Sequence, residues 1–144
     1  MSSRFLAALL CALVCRALHA DPIAAGPGTF ECPNGTEPIT VFTYKPPTYK
    51  DGPVLVVFHG VGRNVEDYRN FAITLAERFG VIVVTPLFDK DRFPSSRYQR
   101  GGLLDPNGKT QASAAWTYAV IPKIVAHVRG LEAKPKLPYY LIRH

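Results

Sequence analysis

Five consecutive apolar residues, Val54-Leu55-Val56-Val57-Phe58, run straight into His59-Gly60-Val61-Gly62. A short unbroken apolar run, framed here by Gly52-Pro53 and His59-Gly60, suits a strand buried on both faces. Such a strand needs a layer above it and a layer below it. The glycine-rich segment that follows is then a loop at the strand's C-terminal end. A second run, Val81 to Thr85, is β-branched and stops at Pro86. A third, Tyr139-Tyr140-Leu141-Ile142, leads into Arg143-His144 and reads as another buried strand meeting a turn.

The segments between these runs carry helical spacing. Asn64 stands as an N-cap, with Glu66 and Asp67 in the first turn, where acids complement the helix dipole. Tyr68, Phe71, Ala72, Leu75, Ala76 and Phe79 recur at the period of a helix that Gly80 ends. Upstream, Phe30–Cys32 and Ile39–Tyr44 flank Asn34-Gly35, a strong tight-turn signal, and suggest an antiparallel start that Pro46-Pro47 terminates. Asn34-Gly35-Thr36 also matches a glycosylation acceptor, but the turn reading is the simpler one. Downstream, a loop from Leu87 to Lys109 holds Pro94, Gly101-Gly102 and Asp105-Pro106-Asn107-Gly108. A loop of this length is functional or ordered by its neighbours rather than a plain connector. Helical spacing resumes from Gln111 through Trp116, Ile124 and Val128, with Pro122 kinking the helix or starting a second one and Gly130 closing it.

The order β, β, β, α, β, α, β predicts an α/β fold, a mostly parallel sheet with helices on both faces. Sites in such sheets form at the C-terminal ends of the strands. His59–Gly62, the Asp89 to Gly102 loop and Arg143-His144 all fall there.

The N-terminus has a different character. Arg4 precedes an apolar stretch from Phe5 to Val14, and Ala17-Leu18-His19-Ala20 places a small residue before Asp21-Pro22. This is the layout of a secretory signal peptide at 1–20, cleaved after Ala20 or, as second choice, after Ala25, which predicts a secreted or periplasmic protein. The alternative, an amphipathic first helix, lacks a polar face. The stretch is shorter than the ~20 residues a membrane span needs, so no stable span is expected. Cys11 and Cys15 lack the small preceding residues of a lipoprotein signal. The domain is then 21–144.

Removing residues 1–20 takes away Arg4 and Arg16, leaving fifteen basic and eleven acidic residues, a net +4. That is too mild to argue for nucleic acid. The densest basic stretch, Lys90 to Arg100, includes Phe93 and Tyr98, but Asp89 and Asp91 dilute it. It reads as a solvated loop on the active-site side. Cys32 alone survives signal removal; it is either a free buried thiol or one that has lost its disulfide partner. No His/Cys/Asp cluster has metal spacing, and no cofactor is expected. Gly60-Val61-Gly62 is weakly reminiscent of a dinucleotide turn, but position 65 is Val65 rather than glycine, and Pro86 ends the second strand without an acid. Ser95-Ser96 has no adjacent base, Ser113 falls on a helix, and His127 lies at a helix's polar edge. His59 reads as part of the strand-end loop rather than as a base.

Taken together, the Val54-to-Gly62 strand and loop, the Val81-to-Pro86 strand, the Trp116-to-Arg129 helix and Tyr139–Ile142 resemble the N-terminal half of a secreted α/β-hydrolase, of the polyhydroxybutyrate depolymerase or feruloyl-esterase-like kind. The resemblance covers essentially the whole of 21–144. It implies a serine ester hydrolase acting on a small-molecule or polymeric ester, with His59, Gly60, Val61 and Gly62 as an oxyanion-hole loop. Family members continue the last strand as Gly-His-Ser-x-Gly-Gly. His144 matches the residue before the nucleophile, and Arg143 stands where the elbow has its first glycine. The serine would be position 145, and the acid and histidine follow later in the family's chain order. By resemblance, then, the nucleophile, acid and histidine are absent and 144 residues alone are expected to be inactive. The alternative is a non-catalytic exported fragment, binding a partner or the product of a degraded gene.

Overall fold

The computed structural model describes residues 21–143. The expected signal peptide at 1–20 and His144 lie outside the described residues. The chain forms a five-stranded sheet in the order β1-β2-β4-β3-β5. The strands are β1 (Gly26–Cys32), β2 (Ile39–Lys45), β3 (Val54–Phe58), β4 (Ile82–Pro86) and β5 (Tyr139–Arg143). β1 pairs antiparallel with β2, and β2 antiparallel with β4, while β3 runs parallel to both β4 and β5. The sheet is thus mixed. The segments joined by helical crossovers are parallel, and the hairpin around Asn34-Gly35 supplies the antiparallel edge.

Side-chain alternation along β3 builds two cores. Val54, Val56 and Phe58 join Ile82, Val84 and the helix α4 (Val120–Leu131) on one face. Leu55 and Val57 join Val83 on the other, beneath Ala76 of α2 (Ile73–Phe79) and Ala72, which separates α2 from the helix α1 (Val65–Phe71). Every residue of β3 and β4 is buried, as a strand covered on both sides requires. Gly52 lies so close to the main chain of Gly80 that a Cβ at 52 would stand 1.8 Å from the Gly80 carbonyl oxygen. Gly80 itself takes the left-handed C-cap conformation and donates its N–H to the Ala76 carbonyl.

Several local expectations change. The helix expected to run unbroken from Asn64 to Gly80 divides at Ala72, whose N–H turns to the Arg69 carbonyl three residues back. Asn64 occupies the N-cap position, but its side-chain amide bonds Asp67 and caps nothing. The helical spacing from Gln111 resolves into two short 3-10 turns, Ser113–Ala115 and Thr117–Ala119, before α4 begins. Pro122 sits in the first turn of α4, where its missing N–H has no intrahelical partner to lose, so it starts that helix instead of kinking it. Gly130 lies inside α4, and the chain leaves the helix through Ala133 at φ +53°.

β5 departs most. It reads from sequence as buried, yet all five of its residues are exposed, Tyr140 at 62%. Apolar content alone cannot distinguish a covered strand from an uncovered one. β5 pairs with β3 along one side only.

Candidate active-site loop

β3 delivers His59 to the C-terminal edge of the sheet, and the chain then turns. The Arg63 N–H closes that turn on the Gly60 carbonyl at 3.2 Å. A Cβ at Gly60 would stand 2.7 Å from the Tyr68 hydroxyl, so the end of that side chain would have to shift to admit one. Val61 at the apex is more than half exposed. Among the described residues its N–H makes no hydrogen bond.

His59 is 3% exposed, and both of its ring nitrogens are engaged. Nε2 accepts the Phe88 N–H at 3.0 Å, which leaves the proton on Nδ1, donated to the Gly60 carbonyl at 2.8 Å. Burial pushes the imidazole pKa below its ordinary value. The bond to the Gly60 carbonyl opposes that shift, and the nearby Arg63 charge reinforces it. A neutral ring with no free lone pair cannot take a proton from a serine. His59 therefore splints the end of β3 to the start of the loop after β4.

Two residues that sequence reasoning did not assign to the site hold the loop in place. Tyr98 lies in the short helix α3 (Ser95–Gln99), inside the basic stretch that reads as a solvated loop. Its hydroxyl instead donates to the His59 carbonyl at 2.6 Å, and its ring packs on the imidazole. Burial pushes its phenol pKa well up. Tyr98 belongs to an aromatic group with Phe58, Phe88, Phe93 and Tyr118 that fills the end of the sheet. Arg63 adopts φ +63°, a conformation that costs a non-glycine residue on the order of 1 kcal/mol. Its Nη2 donates to the Phe93 carbonyl at 2.6 Å, and its guanidinium stands 4.3 Å from the Tyr98 ring centroid. Its Nε and Nη1 are buried without a hydrogen-bond partner among the described residues. The sequence signal for Arg63 was its place directly after the glycine loop. Tyr98 had no signal separable from its charged neighbours.

The expected strand-end residues come together in part. Arg143 reaches away from β5 to donate to the Gln99 carbonyl at 2.9 Å, and its guanidinium lies 5.9 Å from the Tyr118 ring. β5 is thereby tied to α3, which also clamps the His59–Gly62 loop. Ser95 and Ser96 open α3 on the surface, and Ser113 lies exposed in a 3-10 turn rather than on a helix. His127 is half-buried against Phe30, their ring centroids 5.1 Å apart. Cys32 is a buried free thiol whose pKa burial raises, with Lys123 opposing, so it is not poised as a nucleophile. Among the described residues no cluster of three or more His, Cys, Asp or Glu side chains is placed to hold a metal ion, and no helix is long and apolar enough to cross a membrane.

A mixed sheet covered by helices, with a pinned glycine loop after a central strand, defines the class: the chain has an α/β-hydrolase fold of the ester-hydrolase-like kind. Within that class it is similar to a poly(3-hydroxybutyrate) depolymerase from Bordetella parapertussis, at 34% identity over 84% of this chain and 43% of that one, with a TM-score of 0.74. It is also similar to poly(aspartic acid) hydrolase-1 from Sphingomonas sp. KT-1, at 29% identity over 85% of this chain and 47% of that one, with a TM-score of 0.77. A Pyrobaculum calidifontis esterase shares the fold at 18% identity, over 99% of this chain and 43% of that one, with a TM-score of 0.54. The chain spans less than half the length of each of these proteins. No family model matches it, and no curated protein matches it significantly.

Proposed function

We propose that the chain supplies the oxyanion-loop part of an exported serine carboxylic-ester hydrolase, in which the Val61 N–H donates to the developing oxyanion. The observation that carries this reading is the Val61 amide itself. It is unpartnered among the described residues, in a residue more than half exposed, and set at the end of a buried parallel strand by the contacts of His59, Arg63 and Tyr98. A donor held in place before the reaction stabilises charge without reorganising when that charge develops. The name of one similar protein points to a polymeric ester, poly(3-hydroxybutyrate). Export rests on Arg4, the Phe5 to Val14 stretch and Ala20, which have the layout of a signal peptide.

The chain by itself does not turn over esters on this reading. Both nitrogens of His59 are occupied, and no hydrogen bond joins a serine to a histidine among the described residues. A chromogenic short-chain ester assay tests this reading. The purified 144-residue chain should be inactive. Joined to the remaining segment of the Bordetella depolymerase, it should gain activity that a serine-directed sulfonyl fluoride abolishes. Turnover by the chain alone overturns the inactive reading. A joined protein that folds yet hydrolyses no ester overturns the hydrolase reading.

A further inference from the structure

A cavity of about 350 Å³ opens beside α3, with Arg92, Phe93, Arg97, Trp116, Thr117 and Lys123 among the residues that line it. This volume lies at the lower end of the range for small-molecule sites. Its charge is one-sided: three cations line it and no acid does.

Those cations are not equivalent. Arg92 is compensated by Asp89 at 2.6 Å and by Glu37 at 3.4 Å. Burial alone would raise the Asp89 pKa, but the Arg92 N–H, the guanidinium bond and its charge outweigh that and hold the carboxyl below its usual value. Arg97 and Lys123 make no ion pair among the described residues. Lys123 donates to the neutral amide oxygen of Asn34 at 2.9 Å, leaving ammonium protons for another acceptor. The Arg97 guanidinium lies 5.9 Å from the Phe93 ring, and its main chain is held by the Thr117 hydroxyl, which donates to the Arg97 carbonyl at 3.1 Å. Two uncompensated cations at one concavity attract an anion, and bonds from such cations to a carboxylate are about twice as strong as neutral ones.

The rest of the lining narrows the ligand. Ala114, Ala115, Ala119 and Val120 give an apolar wall beside the Trp116 indole. A charged end and an apolar wall suit a short aliphatic chain ending in a carboxylate.

We propose that this cavity binds the carboxylate end of a short aliphatic acid, with Arg97 and Lys123 as its charge partners. It adjoins the loop described above. Phe93 lines the cavity and accepts the Arg63 bond, and Tyr98, which holds the His59 carbonyl, follows Arg97 directly. Identifying that acid as the free end of an ester substrate, or as the acid released from one, rests on the ester-hydrolase reading; the affinity for carboxylate does not.

Trp116 is the chain's single tryptophan, so its fluorescence reports the cavity. The full 144-residue chain is titrated with succinate, monomethyl succinate, dimethyl succinate and inorganic phosphate. Succinate and monomethyl succinate should change the Trp116 emission saturably, and dimethyl succinate should not. Arg97→Gln and Lys123→Gln should each weaken monomethyl succinate about tenfold or more, as the loss of a charge-assisted hydrogen bond does. Lys123→Arg should retain binding. Both positions are exposed, and circular dichroism confirms that each variant keeps its fold. The proposal is overturned if dimethyl succinate binds as well as the monoester, if phosphate binds as tightly as succinate, or if both glutamine variants bind normally. If the joined protein is inactive on esters while monomethyl succinate still binds, the hydrolase reading fails and the carboxylate site stands.

Discussion

Tyr98 donates its hydroxyl to the main-chain carbonyl of His59 at 2.6 Å, and its ring lies 4.8 Å from the imidazole, 27° from parallel. Through this one pair the loop after β4 fixes the end of β3. The bond also satisfies a buried main-chain acceptor that the sheet does not reach. Around it, Phe88 holds the imidazole, Arg63 holds Phe93, and Arg143 holds Gln99. Side-chain to main-chain bonds thus join the segments at this end of the sheet beyond the β3–β5 ladder.

Tyr98→Phe therefore leaves the buried His59 carbonyl without its donor while keeping the aromatic packing. An unsatisfied buried acceptor costs about 1–3 kcal/mol. Urea unfolding should show the midpoint falling with an unchanged slope. An unaltered midpoint would mean that the bond contributes nothing to the fold.

His59 makes stability depend on pH. Burial lowers its folded-state pKa, the Gly60 carbonyl opposes the shift, and the Arg63 charge adds to it. Between the unfolded value, about 6.5, and the lower folded one, the unfolded chain binds more protons. The stability His59 contributes is thus complete above about pH 6.5 and is lost as pH falls through the folded value. Asp89, also depressed in the fold, acts at lower pH: its share is present above its ordinary value of 3.8 and is lost as pH falls through its folded value. Urea midpoints from pH 8 to 5 should decline below about 6.5 in the native chain and less steeply in His59→Gln. Equal slopes in the two proteins would remove His59 from this account.

The uncovered edge predicts self-association. Tyr140 and Ile142 pair with Leu55 and Val57 and so lie on the sheet face that α1 and α2 cover. Arg69 bonds the Thr43 carbonyl and Glu77 accepts from Tyr44, so one flank of these helices is turned to β2. Phe71, Leu75 and Phe79 of these helices are exposed. Exposed apolar side chains and a free strand edge favour pairing. The isolated chain should bind an environment-sensitive apolar dye and associate as concentration rises. Ile142→Lys and Leu141→Lys should reduce both. A monomeric chain at high concentration that binds no dye would contradict self-association through this edge.

Much of the fold is legible in the residues. The runs at 54–58 and 81–85 appear as strands buried on both faces because an all-apolar stretch of that length has few other stable placements. Asn34-Gly35 marks the hairpin, and Gly80 ends the helical segment, because each supplies backbone freedom that few residues have. The loop at His59–Gly62 was legible for the same reason. Its supports were not. Tyr98 sits among Arg97, Gln99 and Arg100, and linear charge density places it in solvent. The structure buries its ring because α3 turns that one side chain inward onto Phe88 and His59. β5 errs in the other direction, since its sequence is that of a core strand.

The sequence by itself determined the strand and helix order, the parallel crossovers and the glycine loop at the end of β3, because periodicity, apolar run length and glycine placement act locally. Only the tertiary structure decided that His59 is an inward splint with no free lone pair, that Arg63 and Tyr98 hold the loop, and that β5 lies bare. Burial and hydrogen-bond partnership depend on what lies across space. Here that means residues about 30 to 40 positions apart brought to one end of a sheet.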